Sequence, residues 1–293
     1  MKKEIKLFGL EDVAARLKAA IFAGEPTLLY GPAGSGKTIL AQQLAQEYAA
    51  HVKSNKNREI PVVYLQLYPE MTKGTLIGGE TLQDGSIVVE AQTIVRLGQK
   101  GAVFVIDECT HTTEPVLLAF NSLIEEPRVT VIGDTIYTMD SETRFIFCGN
   151  HPDHTGNIEL PTSFANRLYI EEINYPERED CIKIGKHYSD AVDDSIIEFV
   201  VEIMQKTRES AKESSLPISP RNLIASMRAV ERMNGTGYKA VSGRIPSTSK
   251  TLMKALEKAD ISPEAFKFTL LATMSANIKT HSTVPDKIRA MLW

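Results

Sequence analysis

Residues 31–38 read Gly31-Pro32-Ala33-Gly34-Ser35-Gly36-Lys37-Thr38. Gly31, Gly34 and Gly36 carry no Cβ, so the chain can turn tightly there and aim several backbone N–H groups at one point. The segment 25–30 enters this loop as a short apolar strand, and the segment 39–46 leaves it as an amphipathic helix. The loop therefore opens onto a helix N-terminus, which favours anions. Lys37 adds a mobile cation for phosphate oxygens, and the Thr38 hydroxyl suits Mg²⁺. In this strand–loop–helix context the eight residues read as a phosphate-binding loop.

Downstream, the pattern alternates between strands and helices. A helix is expected over 11–23, and strands over 61–67, 101–108, 144–149 and 168–170. Short helices are expected over 93–99 and 114–125. Two hairpin signals interrupt the alternation. Asp84-Gly85 separates two short apolar runs within 74–92, and Gly133-Asp134 does the same within 128–138. Alternation with a phosphate loop first implies a parallel α/β sheet with helices on both faces, and its ligand beyond the C-terminal strand ends. After Tyr175-Pro176 the strand signals stop. Helical spacing then runs over 178–186, 194–206, 220–233, 251–260, 263–275 and 285–292, with a Gly/Ser/Thr-rich loop over 234–250. The expected division is an α/β domain over 1–176 and a smaller all-helical domain over 177–293.

A second polar constellation belongs with the loop. The apolar run 101–106 suits a strand buried on both faces, and it ends in Asp107-Glu108. Asp107 is placed to hold the Mg²⁺ that Thr38 also contacts. Glu108 can accept a proton from a water beside the terminal phosphate. Asn150 ends the next buried strand, where its amide either positions that water or serves only a turn before His151-Pro152.

Bulk properties narrow the class. The chain has 293 residues, 43% hydrophobic and 24% charged, with a formal net charge of −4. A strongly basic nucleic-acid binder is not indicated. Cys109, Cys148 and Cys181 lie far apart, as reduced thiols of a cytoplasmic protein would. No apolar run reaches the ~18–20 residues of a membrane span, and the charges at 11–18 break any leader-like run behind the basic N-terminus.

The loop, Ile106-Asp107-Glu108, a strand ending in Asn150 and an all-helical C-terminal part together resemble the AAA+ ATPases. The insert at 74–92 resembles their helix-2 insert, and the hairpin at 128–138 resembles their pre-sensor hairpin. The stretches 160–168 and 218–221 resemble the Leu-Pro…Asp-Arg-Phe and Ser-Pro-Arg motifs of the MoxR-type group, whose relatives include gas-vesicle and Rubisco-activase-type members. The sequence departs from that pattern at Cys109-Thr110-His111-Thr112, where Ile-Asn-Arg-Ala is usual, and at Asn166, where an Asp is usual.

The resemblance implies a P-loop α/β domain followed by a helical lid, ATP and Mg²⁺ as cofactors, and ATP hydrolysis. It implies a homo-oligomeric ring of six subunits acting on a client protein, with a partner carrying a von Willebrand A domain. It gives Arg167 the role of an arginine finger for a neighbouring subunit, and Arg221 that of a nucleotide contact in cis. The alternative for each arginine is a surface ion pair. A nucleic-acid motor or loader is the second reading of the whole chain, disfavoured by the low charge and the lack of a helix-turn-helix or aromatic-basic pattern. A nucleotide-gated scaffold needs neither Glu108 nor Arg167. His111, His151 and His154 do not make a zinc site, which needs about four ligands in fixed geometry. Lys250, Lys254 and Lys258 share one helix face, usually a solvated one.

Overall fold

The structure is a computed structural model. It describes residues 6–83, 86–151, 157–189, 192–209, 219–233, 250–259, 261–262, 266 and 270. Two compact units divide the chain: one spans 11–174, the other combines 1–10 with 175–293.

The first unit opens with α1 (Glu11–Ala23), which buries Leu17, Ala20 and Ile21 and ends at Gly24, whose φ is +100°. Strand β1 (Thr27–Tyr30) runs into the phosphate loop, and α2 (Lys37–Lys56) leaves it until Asn57 takes a left-handed conformation. Then come β2 (Val62–Gln66) and α3 (Lys73–Ile77), the latter with a reciprocal Thr72/Thr75 capping box. Strands β3 (Gly78–Gln83) and β4 (Ser86–Ala91) form the first antiparallel hairpin, followed by α4 (Thr93–Gly98). The Asp84-Gly85 turn lies outside the described residues. Strand β5 (Val103–Asp107) leads to α5 (Glu114–Ala119) and α6 (Asn121–Ile124). Strands β6 (Val129–Ile132) and β7 (Thr135–Thr138) form the second hairpin around Gly133. The unit closes with β8 (Arg144–Gly149), α7 (Thr162–Ala165) and β9 (Tyr169–Glu172).

The single helix expected over 114–125 is two helices. Near Phe120 the bonding tightens to i→i+3: the Phe120 N–H donates to Leu117 O and the Leu123 N–H donates to Phe120 O at 2.8 Å. This turns the Phe120 ring inward, 5.1 Å edge-on to Phe147.

The main sheet is parallel throughout, in the order β2-β5-β8-β1-β9. Strand β8 is buried along its whole length, as the apolar run predicts. Its alternate residues Phe145 and Phe147 face one way and pack with Phe104, Phe120 and Phe164. Helix α2 packs on β5 and β8. Because β8 lies between β1 and β5, the C-terminal ends of three neighbouring strands deliver the loop, Asn150 and the acid pair to one place.

The second unit holds α8 (Arg178–Tyr188), α9 (Asp194–Glu209), α10 (Pro220–Met233) and α11 (Lys250–Lys258). Their apolar faces share a core that includes Ile184, Ile197, Val200, Met204, Leu223, Met227 and Leu256. Phe8 packs on this core and meets His187 edge-on at 5.7 Å. Lys254 and Lys258 are exposed. The helices expected over 263–275 and 285–292, the loop over 234–249, the Lys250 side chain and His154 lie outside what the structure describes.

Candidate functional site

The loop keeps the backbone that its glycines allow. Gly31, Gly34 and Gly36 have φ of +153°, +78° and +103°. A Cβ on Gly31 would stand 2.1 Å from the Ile173 carbonyl oxygen, so only glycine fits against the chain leaving β9. Lys37 is buried, and its Nζ donates to Gly31 O at 2.9 Å, Pro32 O at 2.8 Å and Asn150 Oδ1 at 2.9 Å. Burial pulls the ammonium below the ordinary lysine range, against the opposing pull of Glu108 and Asp107.

Strand β5 brings the acids. The Thr38 hydroxyl donates to Asp107 Oδ2 at 3.0 Å. Glu108 has φ of +54°, a left-handed backbone that costs a non-glycine residue about 1–3 kcal/mol. In that turn its N–H donates to Asp107 Oδ1 at 2.9 Å, and its Oε2 accepts Asn150 Nδ2 at 2.9 Å. Asn150 thus joins the loop lysine to Glu108: its amide oxygen takes Lys37 while its amide nitrogen serves the carboxylate.

The residues fit a nucleotide with its cation. The cradle excludes a Cβ, a hydroxyl–carboxylate pair of hard oxygen donors stands at its rim, and the buried Ser35 Oγ inside the loop has no hydrogen-bond partner.

The AAA domain model of the dynein-related subfamily matches residues 26–168. Gas vesicle ATPase GvpN1 of Halobacterium salinarum is 25% identical over 227 residues, covering 70% of this chain and 62% of that protein. Protein NorQ of Paracoccus denitrificans is 25% identical over 168 residues, covering 57% of this chain and 58% of that protein. Most of the α/β unit is thus similar to the AAA domains of the dynein-related subfamily. The YeaC protein of Bacillus subtilis is 26% identical over 253 residues, covering 77% of this chain and 74% of that protein. The chain thus spans about three fifths of the GvpN1 and NorQ lengths.

Within the α/β unit, Arg167 stands apart from the loop. It precedes β9, in which Tyr169 pairs with Thr27 and Glu172 with Tyr30. Arg167 is therefore at the N-terminal edge of the sheet, while the loop leaves the C-terminal edge, about 13 Å further along the strand direction. Its Nε donates to Glu125 Oε2 at 2.6 Å, and its Nη1 donates to the Ser163 carbonyl. Arg221 lies in the first turn of α10 in the helical unit.

Three features of the site escape reading along the chain. Thr110 Oγ1 accepts the Asn150 backbone N–H at 3.0 Å. A Cβ on Gly149 would come within 2.9 Å of Cys109 Sγ and 3.0 Å of Thr110 Cγ2. The Tyr30 and His151 rings meet edge-on at 4.7 Å, with His151 Nε2 3.7 Å from Glu172 Oε1. The departure at Cys109-Thr110-His111-Thr112 was the only sequence signal for the first two. Among the described residues no three His, Cys, Asp or Glu side chains converge as metal ligands.

Proposed function

We propose that the chain hydrolyses ATP to ADP and phosphate, and that it works as a ring that remodels a client protein. One observation carries the chemistry: the bonded series Lys37–Asn150–Glu108 beside the Thr38–Asp107 pair. Residues 31–38 (Gly31, Pro32, Ala33, Gly34, Ser35, Gly36, Lys37 and Thr38) hold the phosphates through backbone N–H groups and the lysine cation. Thr38 and Asp107 would hold Mg²⁺, which supplies charge neutralisation when bound. Glu108 takes the proton of the attacking water, and Asn150 orients its carboxylate. When Lys37 turns toward phosphate, Asn150 loses the donor on its oxygen. The same residue therefore registers loading at the loop and passes it to the base.

Arg167 is assigned to a neighbour's terminal phosphate. Its place at the far edge of its own sheet supports action in trans. Arg221, in the helical unit taken as a lid, is assigned to the nucleotide in cis on the resemblance alone. The relative named a gas vesicle ATPase supports ATP hydrolysis, and the resemblance supports a protein client and a partner with a von Willebrand A domain. Three buried free thiols fit a cytoplasmic setting, and no helix among the described residues is long and apolar enough to cross a membrane.

Glu108→Gln is the test. The amide keeps the shape but cannot accept the proton, so ATP affinity should persist while turnover falls by at least about 10²-fold. A fluorescent ATP analogue measures the first, and phosphate release the second, alone and with DNA or candidate protein partners added. Turnover near the wild-type rate removes Glu108 as the base. Stimulation by DNA alone favours a nucleic-acid motor.

A further inference from the structure

Arg167 does not project alone into solvent. It lines a cleft of about 660 Å³ at the N-terminal strand edge, with Pro26, Arg144, Tyr169 and Glu125 among its walls. Two of its guanidinium nitrogens are engaged within its own subunit, Nε on Glu125 and Nη1 on the Ser163 carbonyl. The arginine side chain is 29% exposed.

Glu125 is presented by a fixed loop. It caps α6 with extended backbone, and its N–H donates to the Asn121 carbonyl at 3.0 Å. Its own carbonyl accepts the Arg128 N–H at 2.7 Å. Arg128 adopts φ of +58°, and its side chain donates to the carbonyls of Leu123, Asp140 and Thr143. The half-turn that carries Glu125 is therefore anchored on both sides, and it offers the carboxylate to Arg167 from a fixed backbone.

A carboxylate and a terminal phosphate offer the same thing to a guanidinium: paired anionic oxygens that match its planar fork. They therefore compete for Arg167. We infer that Glu125 is an internal counter-ion that holds Arg167 in the unassembled subunit and yields it only when a neighbour presents a phosphate of higher charge. The role given to Glu125 rests on the trans role given to Arg167. The consequence is a brake on turnover by subunits that are not properly seated. An ion pair this exposed is weak, so the brake amounts to about two- to fivefold.

Glu125→Gln removes the charge and keeps the shape. The test follows ATP turnover per subunit as protein concentration rises. The variant should reach half-maximal turnover at about two- to fivefold lower protein than wild type, with unchanged affinity for a fluorescent ATP analogue. That affinity also reports correct folding, since the loop is far from Glu125. The double variant Glu125→Gln/Arg167→Ala should show no such gain. If Arg167→Ala alone turns over like wild type, the trans role fails and takes the counter-ion with it. If Arg167→Ala is inactive while Glu125→Gln leaves the curve unmoved or shifts it to higher protein, only the counter-ion role is overturned.

Discussion

Asn150 is held by a residue that no motif marks. Its backbone N–H donates to Thr110 Oγ1, and Thr110 is fully buried. Thr110→Val keeps the volume and removes the acceptor. The Asn150 N–H then loses its partner beside the buried Thr110, which costs about 1–3 kcal/mol if the N–H stays unpaired. Urea unfolding should show that loss. ATP turnover should fall, because the Lys37–Asn150–Glu108 series drifts, while ATP affinity changes little. If both turnover and the unfolding midpoint stay at wild-type values, the Thr110 bond is not a support of the site. Residue chemistry explains what could be read in advance here. Glycines, Lys37, Thr38 and the acid pair announce themselves because each type at that spacing suits one task. Thr110 and Glu125 do not, because their partners Asn150 and Arg167 lie 40 and 42 residues away in sequence.

Elements were legible where their period is strong. The buried run of β8 and the 3.6-residue spacing of α9 and α10 mark themselves. The break at Phe120 did not, because it reflects where one ring packs rather than any local breaker residue. What ties α2 to the start of β8 was equally hidden. Tyr48 Oη donates to Glu142 at 2.9 Å, Lys56 pairs with the same carboxylate, and the Arg144 guanidinium lies 4.5 Å over the Tyr48 ring. Burial would raise the Glu142 carboxyl, but the Lys56 and Tyr48 hydrogen bonds outweigh it and hold the group below its ordinary value of 4.5. The folded value is the lower one. Glu142 therefore stabilises fully above pH 4.5, and its contribution is lost as the pH falls through the depressed range. Glu142→Gln should be less stable than wild type at neutral pH, and the gap should shrink when the pH is brought well below 4.5. Urea midpoints at the two pH values measure it. A gap of equal size at both would mean that the charge of Glu142 contributes nothing.

At the scale of the molecule, the loop and Arg167 lie at opposite edges of one sheet. In the proposed reading the loop of one copy needs the Arg167 of another, a head-to-tail contact that would close into a ring. Lys37→Ala and Arg167→Ala should each be inactive alone. A random equal mixture pairs a loading-competent copy with an arginine-bearing neighbour at about one junction in four, so about a quarter of the wild-type rate should return. An ATPase titration at fixed total protein, with subunit exchange shown separately, reads this directly. No recovery at any ratio would count against a shared site.

The parallel order of the sheet also sets when the loop becomes useful. The eight residues of the loop are complete at Thr38, but the Lys37 cation meets Asn150, 113 residues later, and Gly31 rests on the carbonyl of Ile173. Strand β1 is flanked by β8 and β9, both from the far end of the unit. Such distant pairings are slow to form, because a long stretch of chain must be closed before any contact rewards it. A growing chain that has made only its first hundred residues carries the whole phosphate motif without the surface that shapes it. Nucleotide capture during refolding should therefore lag until β8 and β9 have docked, and it then reports that this half of the molecule is finished.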